Sequence, residues 1–168
     1  MSETTKDQAL EYLDRGWSII PIRPSTKRPA IKWQEFQTRQ PTEEEVERWW
    51  TQWPDYGIAL VTGELSGVVV VDCDNDESIK AAEDAEMFTP VKVKTKRGLH
   101  LYFEHPRDGK RRGPRAGVNS RGTDWPQING LDFRGDGSYA LLPPSKNYKW
   151  LAPEIDYSDM SPWRDWVP

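Results

Sequence analysis

The chain of 168 residues contains one cysteine, Cys73, and two histidines. A lone thiol excludes an internal disulfide framework and any Cys-rich zinc ribbon or cluster, so no zinc is expected. No stretch approaches the roughly 18 consecutive apolar residues of a membrane span. The opening, MSETTKDQALEYL, is acidic and amphipathic, unlike a secretory signal or a basic transit peptide, and the expected compartment is the cytoplasm. Internal repeats and low-complexity tracts are missing too. Hydrophobic residues make up only 36% and charged residues 30%. Disorder does not follow, because an aromatic content of 11%, with nine Trp, can fill a core. The length suits one domain spanning residues 1–168.

An excess of positive charge is also lacking overall, since the formal net charge is −4. The distribution is uneven. Residues 91–121 carry ten Lys and Arg against two Asp and Glu, whereas residues 1–90 carry nine against eighteen. A basic stretch on an acidic chain points to one surface that meets a phosphate-bearing partner, or to a solvated basic loop.

The local pattern predicts an α+β fold with a mostly antiparallel sheet and few helices. Apolar residues at helical spacing predict a helix over 5–15. Thr42 and Glu45 have capping-box spacing and open a second helix that runs to about Trp53. A short helix is expected over 77–87. Strands are expected over 17–22, 57–62, 67–74, 91–95, 99–104, 131–134 and 138–142, with an edge strand over 148–151. Gly63-Glu64-Leu65-Ser66 and Gly135-Asp136-Gly137 read as hairpin loops. Residues 106–126, rich in Gly, Pro and Arg, read as a basic mobile excursion.

The sharpest feature is Val68-Val69-Val70-Val71-Asp72-Cys73-Asp74. On a strand, residues i and i+2 share a face, so Asp72 and Asp74 project together. Adjacent carboxylates repel and call for a cation, and hard oxygen donors suit Mg²⁺ or Mn²⁺. Asp72, Asp74, Asp76 and Glu83 also imitate a calcium-binding loop. Glu77, however, stands where that loop turns on Gly, and a strand leads in where a helix should. Without a metal, the segment would be a surface turn. Asp132 sits among apolar residues in Leu131-Asp132-Phe133-Arg134. It is either paired with Arg134 on its own face or a third acid converging on metal. His100 falls mid-strand on the face opposite Leu99, Leu101 and Phe103. It serves as a structural residue or, with Lys94, Lys96 and Arg97 just upstream, as part of a polyanion site.

Three elements thus follow in order: Asp72-Cys73-Asp74, Gly98-Leu99-His100 and Leu131-Asp132. Together with Gly16–Ile22, Lys27–Trp33, Gly57–Gly63, Thr95–Phe103 and Leu131–Ser145, they resemble the primase–polymerase N-terminal domain of the archaeo-eukaryotic primase superfamily. The resemblance covers nearly the whole chain. It implies an RRM-like, mostly antiparallel catalytic sheet joined to a small N-terminal α/β module, with the active site in the cleft between. It implies template-directed nucleotidyl transfer from nucleoside triphosphates on a DNA template and primer, in the replication of a phage, plasmid or mobile element. Asp72, Asp74 and Asp132 would then be catalytic and bind two Mg²⁺ or Mn²⁺ ions, and His100 would contact the incoming triphosphate. Arg134, Lys94 or Lys96 would bind triphosphate charge, with Lys27, Arg28 and Lys32 on the other wall. Arg107, Lys110, Arg111, Arg112, Arg115 and Arg121 would track the DNA backbone.

The chain departs from the family pattern in two respects. The second motif usually reads Ser-x-His, but Gly98 stands at its first position, so a hydroxyl contact to phosphate is lost or replaced by a backbone N–H. The zinc-binding insertion of some relatives is impossible with one Cys. Relatives often continue into a helical domain and a helicase, so this is a compact protein or a fragment with such partners. Two rival classes use the same residues: a metal-dependent nuclease, and a non-catalytic single-strand-binding module.

Overall fold

A computed structural model of the chain describes residues 2–117 and 125–165. The elements run α1 (Thr5–Asp14), β1 (Ile19–Ile22), α2 (Glu43–Gln52), β2 (Gly57–Thr62), β3 (Val68–Cys73), α3 (Asp76–Asp84), β4 (Lys92–Lys94), β5 (Leu99–Glu104), β6 (Leu131–Arg134), β7 (Ser138–Leu142), β8 (Lys149–Trp150) and β9 (Ser161–Pro162). Short 3₁₀ turns occupy Gln34–Gln37 and Tyr157–Asp159. The fold is α+β, with three α-helices among the described residues. Each helix opens on a capping box, Thr4 with Asp7, Thr42 with Glu45, and Asn75 with Ser78, which satisfies backbone N–H groups that have no partner inside the helix. Asn75 caps α3 immediately after the carboxylate pair, so Asp76 begins a helix and the calcium-loop arrangement does not form. No helix among the described residues is long and apolar enough to cross a membrane.

The strands form two sheets rather than one. The smaller is antiparallel in the order β1-β2-β7. The larger has the order β6-β3-β5-β4-β8, antiparallel throughout, with β9 added parallel to β5. Two expected hairpins are therefore corrected. The turn after β2 forms, with Gly63 N–H donating to the Val68 carbonyl at 2.8 Å, but β2 and β3 then part into different sheets. The same happens across Gly135–Gly137, where β6 belongs to the larger sheet and β7 to the smaller. The reason lies in burial. Ile58 to Val61 and Val68 to Val71 are all buried, so both strands need cover on both faces, as interior strands do.

Alternation along the larger sheet supplies two cores. Val68, Val70, Tyr102 and Val93 pack with α1, α2 and the smaller sheet. Val69, Val71, Cys73, Leu101, Phe103, Leu131 and Phe133 point the other way, where α3 contributes Ala82 and the tail contributes Trp163. Burial pushes the Cys73 thiol up to about 12, with Asp72 and Glu83 adding to the effect, so the side chain behaves as a small apolar core residue.

Candidate active site

The first core runs out before the end of β3. Val68 and Val70 lie beneath the smaller sheet, and Asp72, next on that face, meets a cavity instead of apolar cover. The register places Asp72 directly opposite Asp132 on β6 and directly opposite His100 on β5. Asp132, Asp72 and His100 therefore form one row across three strands.

Charge balances within this row. His100 Nε2 lies 3.5 Å from Asp72 Oδ1, and Arg134 Nη2 lies 3.5 Å from Asp72 Oδ2 and 3.9 Å from Asp132 Oδ2. Arg134 therefore spans both acids rather than pairing with Asp132 alone. Burial opposes charge on Asp72, whose side chain is 16% exposed. The His100 ring and the Arg134 guanidinium outweigh that cost and hold the carboxyl below its ordinary range. Asp132 Oδ1 also accepts from the Gly117 N–H at 2.8 Å. His100 is 6% exposed, and its Nδ1 is buried without a hydrogen-bond partner among the described residues.

Asp74 sits one residue past β3, its N–H donating to the Gly130 carbonyl at 2.9 Å. Its carboxylate is paired with Arg97, Nη2 to Oδ2 at 2.6 Å. Among the described residues, no three His, Cys, Asp or Glu side chains form a ready-made metal cage. The donor set nonetheless suits a hard cation. Two carboxylates face each other across β3 and β6 with a third two residues along, and Arg97 and Arg134 pair with them.

The cavity, of about 550 Å³, lies between the two sheets. Asp72, Asp74, Asp132, His100 and Arg134 line it from the larger sheet, Tyr139, Ala140 and Leu141 from β7 of the smaller. Lys96 and Arg97 enter from the β4–β5 turn and Lys27 from the loop after β1. Lys27 has a left-handed backbone (φ 56°), and its carbonyl accepts from the Tyr139 hydroxyl at 3.4 Å. Its Nζ lies 5.9 Å from the Tyr148 ring centroid.

Other sequence-predicted residues stand elsewhere. Lys94 pairs with Leu99 and so projects to the face away from His100. Arg28 and Lys32 do not line the cavity. Arg112 is buried, and its guanidinium is held by Asp108 at 2.8–2.9 Å and by Asp165 at 2.8–2.9 Å, so it fastens the fold. The described part of the basic excursion is correspondingly tied down, since Arg115 exchanges backbone hydrogen bonds with Phe133. Lys110 and Arg111 line a separate cavity of about 520 Å³, Arg115 is exposed, and Arg107 donates to the carbonyls of Glu64 and Leu65. Arg121 lies outside the described residues.

Sequence reasoning did not place Thr95, Tyr139, Asn147 or Tyr148 in the site, although all line the cavity. The Tyr148 ring stands 5.7 Å from that of His100. The available signal was Pro143-Pro144 followed by Asn147, a turn that returns the chain to the sheet edge. His105, left unassigned by the sequence, is buried with Nε2 3.1 Å from Asp136 Oδ1. Its Nδ1 accepts from the Arg107 N–H, which assigns the ring proton to Nε2.

Comparison with curated proteins gives no match. Residues 9–166, which hold both sheets and every acid of the site, match the family model of the bifunctional DNA primase/polymerase N-terminal domain, and the chain belongs to this Prim-Pol family.

Proposed function

We propose that this chain is the catalytic core of a DNA primase–polymerase that joins nucleotides to a DNA-templated 3′ end, in the replication of a phage, plasmid or mobile element. The observation that carries the reading is the row Asp132–Asp72–His100 opening onto a cavity that also holds Lys27, Lys96, Arg97 and Arg134. Three acids among four cations suit a substrate that brings both metal and triphosphate. The larger sheet is read as the RRM-like catalytic sheet, and the cavity between the sheets as the active-site cleft.

Asp72, Asp132 and Asp74 would hold two Mg²⁺ or Mn²⁺ ions, which when bound lower the pKa of a 3′-hydroxyl and neutralise departing pyrophosphate. The protein supplies the rest. Lys27 and Lys96, free of ion-pair partners among the described residues, attract the triphosphate. Arg134, fixed on β6, orients phosphate from the floor of the cavity. Asp72 holds the His100 ring through Nε2, which sets the ring's orientation toward the substrate. Tyr139 and Tyr148 give the cavity aromatic walls against which a base or sugar can pack. Arg111, Arg115 and Arg121 are left to meet DNA phosphates.

Extension of a labelled primer–template with dNTPs and Mn²⁺ or Mg²⁺, beside an Asp72→Ala/Asp74→Ala control, tests the reading. Extension by the wild type alone supports it. Shortening of the primer would replace it with a nuclease. Intact primer with tight, salt-dependent binding would replace it with a binding module.

A further inference from the structure

The turn between β4 and β5 is Thr95-Lys96-Arg97-Gly98, closed twice. Thr95 N–H donates to the Gly98 carbonyl at 3.0 Å, and Gly98 N–H donates to Thr95 Oγ1 at 3.0 Å. The turn lies flush on the end of β3, because a Cβ at Gly98 would stand 1.8 Å from the Cys73 carbonyl oxygen. The Gly98 N–H is therefore spent within the turn and is not free for phosphate. Contact with β3 instead brings Arg97 beside Asp74.

Arg97 is a surface residue, its side chain 71% exposed, yet it makes a 2.6 Å ion pair at the mouth of the cavity. It is the one cation within ion-pair distance of Asp74 among the described residues. Lys96, its neighbour in the turn, has no such partner among them and lines the same cavity. Two of the four cavity cations, Arg97 and Arg134, are thus occupied by carboxylates. A divalent ion taking Asp74 would put positive charge against the Arg97 guanidinium and drive it off. The anchored turn leaves the freed side chain at the cavity mouth, where a triphosphate enters.

We propose that Arg97 is an exchangeable counter-ion: it holds Asp74 in the metal-free protein and binds the triphosphate once a divalent ion has taken that carboxylate. The proposal rests on the nucleotide-binding reading above. It predicts that metal and nucleotide bind with positive coupling carried by one side chain.

The test is calorimetric titration of the whole chain with dATP, in EDTA and in Mn²⁺, for wild type, Asp74→Asn, Arg97→Ala and the double variant. Both side chains are at the surface, so folding is not in question. In EDTA, Asp74→Asn should release Arg97 and tighten dATP binding at least about fivefold, a gain that disappears in the double variant. In Mn²⁺, Arg97→Ala should weaken binding about tenfold, the usual worth of a charge-assisted hydrogen bond. An equal gain from Asp74→Asn with and without Arg97 would overturn the exchange, since charge removal alone would explain it. Unchanged dATP affinity of Arg97→Ala in Mn²⁺ would do the same. If wild type binds no dATP in Mn²⁺ and extends no primer, the parent reading falls as well. If it extends primers normally, only the exchange falls.

Discussion

Asp72 and Asp132 stand directly opposite each other across the β3–β6 ladder, with Arg134 Nη2 reaching both at 3.5 and 3.9 Å. Like charges facing across strands cost roughly 0.2–1 kcal/mol. The arrangement is tolerated because an arginine bridges it, and it suits a site that receives metal. Asp132→Asn keeps the shape and an oxygen for the Gly117 N–H. Its unfolding free energy in EDTA, measured by urea titration, should be no lower than wild type. Its primer extension should fall by about 100-fold or more. Loss of stability with activity retained would assign Asp132 to the fold.

Gly98→Ser would place the hydroxyl found in the second motif of many relatives. The structure predicts harm, because the Cys73 carbonyl already occupies the space. Overpacking against backbone should cost about 2–3 kcal/mol in chemical denaturation, and extension should decline. A stable, more active variant would contradict the placement of the turn.

The Asp136 carboxylate accepts from the Glu64 N–H at 3.1 Å, the Arg112 N–H at 2.7 Å and His105 Nε2 at 3.1 Å. Asp136→Ala strands all three donors and should cost about 2–4 kcal/mol. His105→Ala should remove less, since only one of those bonds goes. Urea titrations of the two variants check the order.

Arg39 holds Glu45 through paired hydrogen bonds and, against burial and with help from Thr42, lowers its pKa from the ordinary 4.5 to about 2. A depressed folded-state value stabilises above the unfolded value and fades as pH falls. The advantage of wild type over Glu45→Gln should be complete above about pH 5 and should vanish as pH falls to about 2. Thermal melts across that window check the sign.

The basic residues of 107–115 should separate into two groups. Arg111→Ala and Arg115→Ala should each flatten the salt dependence of DNA binding by about 0.7–0.9 in the log–log slope, without changing stability. Arg112→Ala should instead lower stability by about 1–3 kcal/mol, through loss of its bonds to Asp108 and Asp165.

Much of this site was legible in the sequence because it rests on short-range rules. A valine run ending in Asp72 marks a buried strand that emerges into a polar space, and Thr42 with Glu45 marks a helix start. Partnership across distance was not legible. Nothing local says that Asp132 faces Asp72, that Arg97 reaches Asp74 or that Tyr148 returns to His100, since each depends on register between segments far apart. The two supposed hairpins misled because their turn chemistry was sound. Whether strands stay paired beyond a turn depends on how many faces need cover. Arg112 misled because charge in a basic run reads as solvent-facing until Asp108 and Asp165 are seen around it.

The three residues Gly135–Gly137 join β6, which carries Asp132 and Arg134, to β7, which carries Tyr139 on the facing wall. The four peptide steps from Arg134 to Ser138 reach about 14 Å at full stretch. That short link acts as a ruler set between floor and wall, and Asp136 at its centre is bolted on three sides. Floor and wall are thereby tethered through a loop that is itself anchored, and the bonds of Asp136 bear on the cavity as well as on the turn.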